Sequence, residues 1–199
     1  MNNGASTAGA TGAKAQNASW PDGYGRQVFD SVDSTLSEAA RQASELTGST
    51  WILAQEQTAA RGRRGRSWAT PRGNFAATLM MRRSESPSTA ALRSFVASLA
   101  LRRAFVATTR DEGAFTLKWP NDVLLNGGKV AGILLESIGD FLAIGIGVNL
   151  AHAPGADQVE AGALRPVSVV AETGKVVPPE VFLDALAAEY AQLETQFQT

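Results

Sequence analysis

Residues 114–150 read AFTLKWPNDVLLNGGKVAGILLESIGDFLAIGIGVNL, and the fold is decided in that stretch. Strand formers recur in short runs, each closed by turn residues. Ala114–Leu117 leads into Lys118-Trp119-Pro120-Asn121-Asp122, where Pro120 keeps Trp119 extended and removes one backbone donor. Val123–Leu125 is a short strand, Asn126-Gly127-Gly128 a hairpin turn, and Lys129 the first residue past it. Val130–Ser137 is a strand interrupted by Gly132, and a glycine there marks a bulge or a close approach by backbone or ligand. After a turn at Gly139-Asp140, Phe141–Leu150 returns with Gly145 and Gly147. Their spacing places both on one sheet face, with room for a flat ligand. The stretch predicts a hairpin-rich, mostly antiparallel sheet.

Upstream, Ser49–Gln55 (STWILAQ) is a further strand, and it runs out into Gln57–Arg66, QTAARGRRGR. Arg61, Arg63, Arg64 and Arg66 are threaded there with Gly62 and Gly65. Glycine lets the backbone take φ > 0, and consecutive N–H groups in such turns form anion-holding hollows. Arginine adds a planar, permanently charged fork that fits phosphate or carboxylate oxygens. The segment is neither GxxxxGK[ST] nor GxGxxG. It reads as a loop that wraps a small anionic ligand, as a solvated basic loop, or as a patch touching nucleic acid.

The remaining elements complete an α+β pattern of a mixed, mostly antiparallel sheet flanked by helices. Arg26–Val32 is a strand with Val28 and Val32 inward. Asp33-Ser34-Thr35 starts a helix over Leu36–Leu46, with Thr35 and Glu38 spaced as a capping box. A free helix start beside a hydroxyl also suits a ligand. Phe75–Arg82 is a buried strand. Pro87 opens a helix to Thr109, with Leu92, Phe95, Val96, Leu99 and Phe105 as its core stripe. His152–Arg165 is loop, Val167–Glu172 a short helix, and Pro178–Phe197 a closing helix with Phe182, Leu186, Tyr190 and Leu193 inward. Residues 1–22, rich in Ala, Gly, Asn, Ser and Thr, are expected to form a disordered tail ahead of a domain over 23–199.

Composition narrows the chemistry. The 199 residues suit one domain, and an apolar content of 44% suffices for a core. A net charge of -1 argues against a general nucleic-acid binder, so the arginines are a local feature. There is no cysteine, which excludes disulfides, thiolate metal sites and a cysteine nucleophile. His152 is the only histidine, so a histidine metal cluster is excluded. No run approaches the length of a membrane span and no leader is recognisable, so the expectation is a cytoplasmic protein. Lys118 and Lys129, each unremarkable alone, join the arginine loop as point charges suited to the phosphates of a nucleotide.

DST at 33–35, QTAARGRRGRSW at 57–68, PRGN at 71–74, KWPND at 118–122, GKVAGILLE at 128–136 and GIGVN at 145–149 occur in that order. Together they resemble the catalytic domain of biotin–protein ligases, over roughly Arg26 to Leu150. The resemblance implies the biotin–lipoate ligase fold, related to class II aminoacyl-tRNA synthetases. It implies condensation of biotin with ATP and Mg2+ to biotinyl-5′-AMP, then transfer to a lysine of a biotin carboxyl carrier domain. It implies that Lys129, Arg63 and Lys118 are catalytic. Biotin would be held by Ser34, Thr35, Gln57, Arg61, Gly62, Arg63, Lys129 and Gly132. The adenylate half would fall to Arg61, Arg63, Arg66, Trp68, Lys118, Asn121 and Asn149, with Asp122 orienting neighbours or near Mg2+. A homodimer through a sheet edge occurs in such proteins. Neither DNA nor membrane is expected as a partner.

Three features depart from the family pattern. Leu36 stands where Asn is usual, and Ala60 where Gly is usual. If position 60 needs φ > 0, alanine there is strained. The sequence reaches Thr199 with no winged helix and no C-terminal SH3-like barrel recognisable. A lipoate- or octanoate-transferring relative and a non-catalytic biotin or nucleotide sensor are the alternative readings.

Overall fold

The computed structural model of the chain describes residues 20–83, 85–155, 158–160 and 162–199. Positions 1–19 of the expected tail lie outside the described residues. Trp20 belongs to the fold: it packs against the main core, and its Nε1 donates to the Tyr24 carbonyl at 2.7 Å.

The strands are β1 (Tyr24–Phe29), β2 (Ser49–Ala54), β3 (Phe75–Arg82), β4 (Phe115–Lys118), β5 (Asp122–Leu125), β6 (Gly128–Ile138) and β7 (Phe141–Val148). They form one seven-stranded sheet in the order β1-β2-β3-β7-β6-β5-β4. β1 and β2 are parallel, with α1 (Thr35–Gln42) between them, and the other pairings are antiparallel. Alternation along the strands sorts side chains between two faces. Trp51, Leu53, Leu79, Ile144 and Ile146 join the core under α3 (Arg93–Thr109) and α5 (Pro179–Gln198). Ile52, Met80 and Ala143 join Leu36 and Ala39 of α1 on the other face. Both faces are covered, which is why β2, β3 and β7 read as nearly unbroken apolar runs.

Several sequence expectations are corrected. Val28 is 45% exposed, because β1 is a sheet edge. The helix from Pro87 is interrupted at Leu92, giving α2 (Pro87–Ala91) and then α3. Arg93 takes the inward place at the start of α3 and pairs with buried Glu194 at 2.6 Å. Leu92 and Phe95 are consequently turned out, at 46% and 45% exposure, while Val96 and Phe105 stay in the core. The capping box does not form: Ser34 is the N-cap of α1, and Glu38 bonds Arg41 and Gln42 instead. The short helix α4 begins at Val169 (Val169–Thr173), because Val167 donates its N–H to the Lys129 carbonyl. The inward face of α5 is as expected. No helix among the described residues is long and apolar enough to cross a membrane.

Candidate active site

A cleft of about 820 Å³ opens on the α1 face of the sheet, and all the binding and catalytic residues named from the sequence border it. Its floor is made where β6 and β7 pair. Gly132 stands opposite Gly147, and Leu134 opposite Gly145. The glycines do not leave the floor bare. A Cβ on Gly145 would lie 2.8 Å from Leu36 Cδ1, and one on Gly147 would lie 2.4 Å from Trp68 Nε1. Leu36 and Trp68 fill the space expected to be open to a flat ligand. Gly132 differs, since a Cβ there would make only ordinary contact with Lys129 Nζ and the Trp68 ring, each at 3.5 Å, so no close approach requires this glycine.

One end of the cleft is neutral and hydrogen-bonding. The Thr35 N–H donates to Gln57 Oε1 at 2.7 Å, and the Thr35 hydroxyl reaches the same oxygen at 3.1 Å. Gln57 Nε2 donates to Thr70 Oγ1 at 3.0 Å, and buried Thr78 donates to Thr35 Oγ1 at 2.9 Å. This chain ties the start of α1 to β3 and orders the groups around Ser34, whose hydroxyl makes no capping bond. The backbone there is braced by Asp33, which accepts the Ser34 N–H at 2.7 Å and pairs with Arg41. The Arg41 guanidinium first, and the Ser34 N–H second, hold the Asp33 carboxyl down at about 2. Thr78 was invisible as a site residue in the sequence, because a threonine inside a strand carries no motif.

The other end is cationic. Lys129 Nζ lies 2.7 Å from Asp122 Oδ1 and 5.7 Å from the centroid of the Trp68 ring. Asp122 Oδ1 is buried and makes no hydrogen bond of proper geometry, so charge holds this pair. The Lys129 backbone is fixed on the far side, its N–H donating to the Arg165 carbonyl at 2.8 Å. Asn121 accepts Arg63 Nη1 at 2.9 Å and donates to the Ile133 carbonyl at 2.9 Å. Asn149 is buried and holds the Val167 carbonyl at 3.1 Å, so it shapes the wall beside Lys129.

The arginine loop spans these two ends as a small hairpin. Arg61 bridges to Ser67, Gly62 N–H donates to the Arg66 carbonyl at 2.7 Å, and Trp68 N–H to the Ala60 carbonyl at 3.0 Å. Its left-handed residues are Arg64 and Gly65. Ala60 is not among them, so alanine in the usual glycine position is unstrained. Three arginines leave in different directions: Arg61 to Glu136 and Ser37, Arg63 to Asn121, and Arg66 to Glu160. Neither glutamate is given a role by the sequence: Glu136 closes the GKVAGILLE segment but nothing there names its partner, and Glu160 is an isolated loop residue with no distinguishing signal.

Residues 28–150 match the model of the biotin/lipoate A/B protein ligase family. The chain belongs to that family. It is 55% identical to the biotin–[acetyl-CoA-carboxylase] ligase of Paracoccus denitrificans over 173 residues, covering 84% of this chain and 72% of the relative. The biotin protein ligase of Leishmania major, solved in complex with biotinyl-5-AMP, superposes with a TM-score of 0.74 at 29% identity, over 86% of this chain and 75% of that one. The Aquifex aeolicus enzyme in complex with biotin and ATP superposes with a TM-score of 0.72 at 28% identity, over 88% and 72% of the two chains. Five of the six segments, scattered through the sequence, border the cleft here; PRGN at 71–74 lies beside it, where Asn74 accepts the N–H groups of Ala151 and His152.

Proposed function

We propose that this family member is a ligase that activates biotin with ATP and transfers it to a lysine of a carrier domain. The observation that carries this reading is the polarity of the cleft. It runs from the neutral Thr35–Gln57 end, over the Gly132–Gly147 floor, to the cations Lys129, Arg63 and Lys118. Biotin has the same polarity, with a neutral ureido ring at one end and a carboxylate at the other. Ser34, Thr35 and Gln57 meet the ureido group, and the apolar remainder lies beside Trp68.

Chemistry takes place at the cationic end. A biotin carboxylate oxygen attacks the α-phosphorus of ATP, the bond to the β-phosphate breaks, and pyrophosphate leaves. Both reactants are anions, so Lys129 lowers the barrier by offsetting charge that gathers around the α-phosphate. Arg63 and the loop then exclude water from the mixed anhydride. In the second step the acceptor amine attacks the acyl carbonyl, the bond to AMP breaks, and the amine gives up a proton. Magnesium arrives with the nucleotide. Among the described residues no group of three or more His, Asp or Glu side chains is placed to cage a metal. Asp122, already against Lys129, fits at most a cation carried by phosphates. Self-association is also part of the proposal, because β6 beyond Ile133 is paired with β7 alone.

The test is mass spectrometry of the chain with Mg-ATP and biotin, with lipoate and octanoate in parallel. Biotinyl-AMP plus pyrophosphate supports the reading. Adenylate formed from lipoate or octanoate instead transfers the chain to the other branch of the family, and binding of biotin without pyrophosphate makes it a sensor.

A further inference from the structure

Arg61 does not share the direction of the other loop arginines. Its guanidinium meets the Glu136 carboxylate side-on, Nε to Oε1 at 3.3 Å and Nη2 to Oε2 at 2.8 Å. Nη1 reaches Ser37 Oγ of α1 at 3.3 Å. The side chain therefore fastens the base of the loop hairpin to β6 and α1, away from Lys129. Two-point pairing of this kind fixes orientation as well as distance. Arg61 also forms the bridge to Ser67 that closes the hairpin, so a side chain anchored on the sheet sets the backbone of the whole strap. Arg63, two residues on, inherits its position over the cleft from that anchor.

We infer that Glu136 is a positioning residue of the reaction. Through Arg61 it holds the loop over the cleft and so governs retention of the acyl-adenylate, and it touches no reacting atom. The inference rests on the proposed ligase reading for the identity of what is retained, but the latch is a property of the loop itself. Glu136 and Arg61 are partly exposed, with side-chain exposures of 30% and 42%, so their replacement leaves the core intact.

The experiment compares the parent chain with E136Q, R61A and the double variant. Amide hydrogen exchange over residues 57–68 is followed without ligand, and release of synthetic biotinyl-5′-AMP is followed by stopped flow. The expected result is a roughly threefold rise in loop exchange and in release for E136Q, the range set by a partly exposed ion pair. R61A should match or exceed it, and the double variant should equal R61A, since both residues act through one contact. Pyrophosphate formation at saturating biotin and ATP should stay within about twofold in E136Q, separating retention from chemistry. Loop exchange in E136Q equal to that of the parent overturns the latch, as does a double variant whose effects simply add. If the parent chain forms no biotinyl-AMP, the ligase reading fails, while the exchange measurement still decides the latch.

Discussion

Lys129 Nζ lies 2.7 Å from Asp122 Oδ1, and the two residues come from facing strands of one hairpin. The tight turn at Asn126-Gly127, both at positive φ, brings β5 and β6 together and so makes the pair. Because the contact is ionic and not a formed hydrogen bond, the ammonium can turn to a phosphate without breaking a directional bond.

Replacing Lys129 with Ala should lower adenylate formation by about 10²–10³-fold, the usual loss when one preorganised charge is removed from a transition state. The melting temperature should fall modestly while the fold survives, because Lys129 is half-buried at the start of a strand but the Asp122 carboxylate beside it loses its partner. Asp122→Asn should cost less, since the cation remains and only its resting position is lost. Pyrophosphate release assayed beside thermal melting checks both. Turnover of Lys129→Ala near that of the parent would remove lysine from the chemistry.

The acid limb of stability has a specific contributor in Asp33. Its carboxyl is held at about 2 in the fold against an ordinary value of 3.8. A depressed carboxylate contributes stability above its ordinary value, and that contribution is lost as pH falls through about 4 toward about 2. The side chain is largely exposed, so the contribution is small and salt should weaken it. Asp33→Asn should flatten the loss of stability between those pH values, as followed by urea denaturation. An acid limb identical to that of the parent would mean that Arg41 pairing does nothing for the fold.

Much of this molecule was legible in the sequence, and the exceptions share a cause. Strand runs closed by glycine turns located β5, β6 and β7 because the signal is local. Motif order located the cleft residues because their chemistry needs fixed residue types. Partners chosen across the fold were not legible. Nothing near Leu92 in the chain announces that Arg93 will turn inward to meet Glu194, 101 residues away. Nothing near Gly147 announces that Trp68 will cover it. The spacing of Gly145 and Gly147 correctly placed them on one face, but spacing does not say what lies above them.

The buried Arg93–Glu194 pair should matter to stability and not to chemistry. Both side chains are 5% exposed, Glu194 also accepts from Tyr190 at 3.2 Å, and Arg93 reaches Glu85 as well. Glu194→Ala leaves a buried guanidinium short of a partner, and breaking such a pair costs about 3–5 kcal/mol. Chemical denaturation should show a fall of that order. Adenylate formation per folded molecule, measured well below the new midpoint, should be unchanged. A variant as stable as the parent would show that Glu85 alone satisfies Arg93.

Gly147→Ala tests whether Trp68 belongs to the working site. The new Cβ would lie 2.4 Å from Nε1 and 2.6 Å from Cε2 of the indole, too close for the ring to stay. The strand can accept alanine, since Gly147 is not at positive φ. The ring must therefore move, taking with it a loop whose hairpin closes at the Trp68 N–H and the Ala60 carbonyl. Misplacement of positioning groups by about 1 Å costs up to about 10²-fold in rate, so adenylate formation should drop by one to two orders of magnitude. Trp68→Ala alone should show a comparable loss, and adding Gly147→Ala to it should do no further harm, because the ring that clashes is gone. Tryptophan fluorescence should shift in Gly147→Ala, while urea denaturation stays close to the parent's. Full activity in Gly147→Ala, with the fluorescence shifted, would place the indole outside the reaction and leave the cleft's apolar wall to Leu36.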